Sequence, residues 1–221
     1  MRVRISIGNL APVMRVPCGE FDSTHCIGIL NSGAYKKGQR LIQPIGGAAT
    51  LTAEGRKFLE EKFGATEFHK NDARFIVDDM HLADVLKFFE NRDPKFFEID
   101  PLREICEELS TGEFPANEFF DAIESPLTVD EAGQLAVRFK RTVVQPFTDS
   151  AGTSPLAGKE PSRRLFHLFE IEVPTSAMFE KIRASRAIKE LNSDEALTTM
   201  GGSRKGFTDE GDVIADNFIL P

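Results

Sequence analysis

The sequence predicts a mixed α/β or α+β domain in which helices pack on a sheet. Three observations carry this. Short runs of alternating apolar residues recur along the chain, as half-buried strands require. Between them lie segments whose apolar residues are spaced three and four apart and bounded by capping residues, as amphipathic helices require. No stretch repeats itself, and 41% of the 221 residues are hydrophobic, enough for a sizeable core.

The elements follow in order. Val3, Ile5 and Ile7 alternate with polar residues and predict an opening strand. His25 to Leu30 (HCIGIL) is a compact apolar run, NSGAYKKG reads as a turn, and Arg40 to Ile45 (RLIQPI) as a returning strand, which together make a hairpin. The hairpin ends in Gly46-Gly47, where the backbone can turn sharply or approach a ligand closely. Thr52 caps a helix running to about Phe63, with Gly64 as its stop. Leu82, Val85, Leu86 and Phe89 mark the buried face of a second helix after Asp78-Asp79. Asp100-Pro101 predicts a third, with Asp as N-cap and Pro at the first helical position, ending near Gly112. Its apolar stripe is Leu102, Ile105, Cys106 and Leu109.

Further on, Leu135, Val137 and Phe139 alternate and Val143-Val144 extend the strand. Thr148 to Ser162 is Gly/Pro/Ser-rich and reads as a loop, and Leu165 to Val173 (LFHLFEIEV) as a strand. Met178 to Leu191 reads as a helix, and the tail DVIADNFILP is apolar enough to pack.

Composition narrows the function. A net charge of −8 argues against an extended nucleic-acid footprint, which needs a basic face. Small anionic ligands stay open, because bound cations invert local charge. The three cysteines, Cys18, Cys26 and Cys106, form no C-x-x-C pair and are odd in number, which points to reduced thiols in a cytoplasmic protein. No apolar run approaches the length of a membrane helix, and the N-terminus lacks the continuous apolar stretch of a signal peptide.

The stretch REICEELSTG, from Arg103 to Gly112, places Glu104, Glu107 and Glu108 roughly on one helical face. Such like charges repel by a few tenths of a kcal/mol per exposed pair, so either water screens them or something positive sits among them. A glutamate-rich helix is most often a solvated face, and 28% of this chain is charged. The glycine pair at a strand end and the Asp-Pro start signal weigh the other way.

The run R-E-I-C-E-E at 103–108 resembles the core of a Nudix box, G-x5-E-x7-R-E-U-x-E-E-x-G-U, in which U is a bulky aliphatic residue. Arg103, Glu104, Ile105, Glu107 and Glu108 match that core, and Gly46-Gly47 after RLIQPI match the glycine pair that opens the loop. The interval from Gly47 to Arg103 is about 42 residues longer than the pattern allows. Lys95 stands where the pattern has its isolated glutamate, with Glu98 one turn nearer the box, and Gly112 falls one place late. With GGAATLTAEGRKFLEEKFGA and DARFIV, the long interval resembles the branch of Nudix domains associated with bacterial second-messenger nucleotidyltransferases.

That resemblance implies a Nudix-like mixed sheet flanked by helices. A single domain over 1–221 would carry a helical insertion at about 50–95, between the Gly-Gly loop and the catalytic helix. It implies hydrolysis of a diphosphate linkage in a nucleoside diphosphate derivative, linked to bacterial nucleotide second-messenger or antiphage signalling. The alternative is a nucleotide sensor without turnover, and a structural interaction module is a third reading. The implied cofactor is Mg²⁺, with Mn²⁺ as the substitute. Glu104, Glu107 and Glu108 would be metal ligands, one of the last two accepting a proton instead; Arg103 would orient them, and Gly46 and Gly47 would meet substrate. Glu124, Asp130 and Glu131 are further candidates for the base. The implied partner is a small nucleotide, with neither membrane nor extended nucleic acid, and the apolar insertion leaves a homodimer open. His25 and His167 lie in predicted strands, where a packed or surface imidazole is the plainer reading. Tyr35 in the hairpin turn reads either as an exposed ring or as a base-stacking one. Gly201-Gly202 before Ser203-Arg204-Lys205 reads as a flexible basic loop.

Overall fold

A computed structural model describes residues 1–145, 160–191, 206–207, 212–215 and 218. Of the loop expected at 148–162, residues 148–159 lie outside the described residues, as does the one expected at 201–205, while Ser162 already belongs to a strand. In chain order the strands are β1 (Arg2–Cys18), β2 (Phe21–Leu30), β3 (Leu41–Ala48), β4 (Arg74–Asp78), β5 (Ala136–Val144), β6 (Ser162–Glu172), β7 (Ile188–Leu191), β8 (Gly206–Phe207) and β9 (Val213–Ile214). The helices are α1 (Ser32–Tyr35), α2 (Ala53–Phe63), α3 (Leu82–Glu90), α4 (Leu102–Ser110), α5 (Val129–Ala132) and α6 (Ser176–Arg183). The strands pair in the order β5-β6-β1-β2-β3-β9-β8, with β4 also on β1 and β7 also on β2. The sheet is mixed, because β3 and β9 run parallel while β1 and β2, among others, run antiparallel. The architecture is α+β.

Two compact units divide the chain. The first comprises Met1–Asn9, Gly47–Asp100 and Arg141–His167. In it, β4 pairs with the start of β1, Val3 opposite Val77 and Ile5 opposite Phe75. Its core gathers Val3, Ile5 and Ile7 with Leu59, Phe63, Phe75, Val85, Phe89 and Phe97. The insertion therefore shares a core with the start of β1. Helix α2 starts as its sequence demands: Thr52 Oγ1 accepts from Gly55 N–H at 2.9 Å, and Gly64 closes it in the left-handed conformation. The insertion is not purely helical, because RFIVD forms β4. A five-residue apolar run gives no period long enough to separate strand from helix, and here pairing with β1 decides it.

The second unit comprises Leu10–Gly46, Pro101–Lys140 and Leu168–Pro221. Its core joins Met14, Ile27, Ile29, Ile42 and Ile45 to Ile105, Leu109, Phe169, Phe179 and Ile214. The hairpin β2–β3 forms with Gly28 opposite Pro44 and Leu30 opposite Ile42. The turn between them is a single helical turn, α1, capped by Asn31 through Ala34 N–H at 2.8 Å. Residues 188–191, expected to continue the last helix, instead form β7 and pair with β2, Ile188 opposite Ile29 and Leu191 opposite Cys26. Helix α6 stops at Arg183, and a tight turn, Ile188 N–H to Ser185 C=O at 3.0 Å, redirects the chain. Burying Ile188 and Leu191 against a strand outweighs the helical spacing they share with Met178.

Candidate functional site

The site is built on α4 and the end of β3. Helix α4 buries Ile105 and Leu109, with Leu102 and Cys106 packed against the same core, so the apolar stripe lies where its spacing placed it. The stripe fixes the helix's rotation and thereby the direction of its glutamates. The start differs from expectation: Pro101 occupies the cap position and no side chain caps the helix, so Asp100 is not its N-cap. Ile105 N–H donates to Pro101 C=O at 2.8 Å, which opens the helix at Leu102.

Arg103 answers the charge problem of this face. Its guanidinium meets Glu107 at 2.9 and 3.0 Å and Glu104 at 2.6 Å. Both pairs are partly exposed, so they orient the carboxylates more than they stabilise the fold. Glu108 is different. It is half-buried, and one carboxylate oxygen accepts from Gly46 N–H at 2.8 Å. Gly46 has φ 113°, a conformation that side chains rarely adopt. Burial pushes the Glu108 carboxyl up to about 8; the Gly46 N–H pulls it down, and Glu104 and Glu107 push it further up.

Glu108 of the box and Gly46 thus touch across 62 positions of chain. Gly47 follows Gly46 in β3, with its carbonyl oxygen 3.2 Å from where a side chain on Gly8 would begin. Lys95 pairs with Glu54 at 2.7 Å. Among the other candidate bases, Glu131 is tied to Lys181 at 2.7 Å and caps α5 through Thr128. Lys181 first, and the Thr128 backbone N–H next, hold its carboxyl down to about 2, which makes it a weak proton acceptor. Glu124 lies on a cavity of about 350 Å³ beside Lys181 and Arg186, and Asp130 is an exposed residue of α5.

The sequence places Tyr35 in an exposed or ligand-facing turn. It is instead fully buried, stacks on Phe120 at 4.9 Å and donates to the Asp121 carbonyl, so it offers no ring to a base. The Asn31 cap winds the turn into α1 and carries Tyr35 inward. His167 is packed, as its strand context suggests.

The glycine pair at the end of β3, the R-E-I-C-E-E helix and the contact between them decide the kinship. The family model of the SMODS-associated NUDIX domain matches residues 33–202. The chain belongs to that family. No curated protein and no solved structure matches it. A NUDIX domain is a hydrolase scaffold whose members use divalent metal ions. Among the described residues, no three His, Cys, Asp or Glu side chains stand together as a cage for one. In this NUDIX domain Glu104 and Glu107 turn to Arg103, and Glu108 to Gly46. These carboxylates are engaged by protein donors that an arriving cation would have to replace. Oxygen donors of this kind suit Mg²⁺, which needs only one or two carboxylates beside phosphate oxygens and waters. No helix among the described residues is long and apolar enough to cross a membrane.

Proposed function

We propose that this NUDIX domain hydrolyses a diphosphate linkage in a nucleoside diphosphate derivative that enters as its Mg²⁺ or Mn²⁺ complex. The observation that supports this is Glu108, half-buried and hydrogen-bonded to Gly46 N–H, with Glu104 and Glu107 on its helix. A divalent cation on the phosphates polarises the reacting phosphoryl group and acidifies water. The chain's own residues do the rest. Arg103 holds Glu104 and Glu107 in one orientation by the ion pairs described. Glu108, protonated near pH 7 in the metal-free protein, would release its own proton to solvent as the cation arrives, and it then takes the proton of the attacking water. The water oxygen bonds to phosphorus, the bridging P–O bond breaks, and the leaving phosphate departs. The Gly46 N–H keeps the Glu108 carboxylate in place through both protonation states.

One observation favours a sensor without turnover: Lys95 occupies the position of the pattern's isolated glutamate and is paired with Glu54. A nucleotide signal in second-messenger or antiphage defence suits either reading. The deciding experiment is product release from a panel of nucleoside diphosphate derivatives in excess over protein, with and without Mg²⁺. Steady turnover is expected, with kcat falling about 10²–10⁴-fold in Glu108→Gln and the circular dichroism unchanged, since Gln and Glu have similar helix propensity. No turnover, with a melting temperature raised by a nucleotide and Mg²⁺, replaces the hydrolase with the sensor. Full turnover in Glu108→Gln removes the box helix from the chemistry.

A further inference from the structure

Away from the box, β2 and β7 of the second unit bring a serine, a histidine and a glutamate into line. Ser23 and His25 are two apart on β2, so their side chains share a face. Ser23 Oγ lies 2.9 Å from His25 Nε2, and His25 Nδ1 lies 2.7 Å from Glu190 Oε1 on β7. Ser23 Oγ also stands 3.4 Å from the Val16 carbonyl, the longer of its two contacts. The far oxygen of Glu190 meets Arg183 Nε at 2.9 Å, and the imidazole lies against Phe179 with ring centroids 4.3 Å apart. The ring is therefore held from two sides. With Nδ1–H donating to Glu190, Nε2 is left as the acceptor for the Ser23 hydroxyl. Ser23 is half-buried, three residues into the strand that follows the β1–β2 turn, within reach of a small molecule from solvent.

We propose that Ser23, His25 and Glu190 form a nucleophilic relay through which Ser23 accepts an acyl or phosphonyl group from a small activated ester or phosphonyl fluoride. Nucleophile, base and base-orienting carboxylate stand at the separations that activate a serine. In the step, the Ser23 oxygen bonds to the carbonyl carbon or phosphorus and its proton passes to His25 Nε2. The bond to the leaving alkoxide or fluoride breaks. An alkoxide takes the proton from His25; with fluoride the proton passes to water. Glu190 is a positioning residue: it fixes the tautomer and faces the imidazolium that forms.

The test is labelling of the whole protein by an alkyl fluorophosphonate probe, read by intact mass and peptide mapping. One adduct per chain is expected, on Ser23, and none in Ser23→Ala. His25→Gln and Glu190→Gln should slow the maximal labelling rate about tenfold or more, while the half-saturating probe concentration and the melting temperature hold. A rate lost together with melting temperature in His25→Gln leaves the reading to Glu190→Gln, where only charge changes. No adduct in the wild type, an adduct elsewhere, or a Glu190→Gln rate equal to wild type overturns the relay.

Discussion

Each of the two compact units holds an ionisable group, fully buried His167 in one and half-buried Glu108 in the other, and the two are kept neutral near pH 7 in opposite senses. In the first unit His167 is fully buried; burial, with Arg92 adding to it, pushes its imidazole down to about 4. Its neighbours are the parallel ring of Phe97 and the Thr142 hydroxyl, 3.0 Å from Nδ1. In the second unit burial pushes the Glu108 carboxyl up to about 8, beside two further carboxylates and a backbone N–H. Desolvation is the main cause in both. The company differs: a phenylalanine ring, a hydroxyl and the Arg92 charge keep the histidine in its neutral form, whereas the carboxylates beside Glu108 leave it in want of a proton or a cation. A buried titratable group carries functional meaning through its neighbours, not through its burial.

The largest test of this contrast is the pH dependence of the metal-free protein. Below about pH 4.5 Glu108 is protonated in both folded and unfolded chains; from there to about 8 the unfolded chain releases its proton while the folded one keeps it. The group's stabilising contribution is thus complete below the lower value and is lost as pH rises through the upper. Each tenfold difference in proton affinity between the two states is worth about 1.4 kcal/mol, so the span is at most roughly 5 kcal/mol. Glu108→Gln should flatten the decline and melt higher than the parent at pH 8. An unchanged slope in denaturant titrations across this range would show that Glu108 titrates as a surface carboxylate.

Next in size is Phe89→Ala. Phe89 is fully buried among Phe75, Phe88 and Phe97, and truncation should cost about 3–5 kcal/mol. Hydrogen exchange should show faster opening of α2, β4 and α3, with α4 keeping its protection. Equal loss in α4 would mean that the units open as one, and the contrast between them would lose its basis.

His167 supplies the mirror image. Its folded pKa is depressed, so the unfolded chain takes up a proton first, and stability falls as pH drops from about 6.5 to about 4. The effect is at most roughly 3 kcal/mol by the same conversion. It should vanish in His167→Gln, as followed by urea midpoints. A smaller effect, about 1 kcal/mol, is expected from Thr52→Ala. That change removes both the α2 cap and the bond from Thr52 Oγ1 to the Lys95 carbonyl at 2.8 Å. A stability equal to the parent's would show that another group caps α2.

Most of this fold is legible where neighbours in sequence are neighbours in space. The Thr52 cap, the Gly64 stop and the α4 stripe are local, and each stands where its residues predict. β1 is longer in the structure than its Val3–Ile7 alternation, because residues 7–14 are buried and the two-residue period disappears. β4 and β7 are hidden for another reason: each is four or five residues long and owes its form to the strand it meets. In the candidate site the R-E-I-C-E-E residues are legible, but their unequal environments are not. Glu108 follows Ile105 by three and precedes Leu109 by one, which sets it at the margin of the stripe. Whether that margin is wet or dry depends on Gly46, and nothing near Glu108 in sequence reports it. The Ser23 and His25 spacing is visible, but Glu190 lies 165 positions from His25 in a stretch whose pattern points to helix.

One feature of the second unit sets the order in which this chain can be completed during translation. β9 lies parallel to β3, Leu41 opposite Val213, and the Phe218 ring fills the space over Gly28, where an added methyl group would stand 2.9 Å from it. Both Ile214 and Phe218 are fully buried. Ribosomes add about 5–20 residues per second, so β2 and β3 wait roughly ten seconds or more for the residues that cover them. During that interval a nascent chain carries an open strand edge and an unfilled apolar hollow. This predicts a dependence on chaperones that a ribosome stalled just before residue 212 would prolong and release of the chain would relieve.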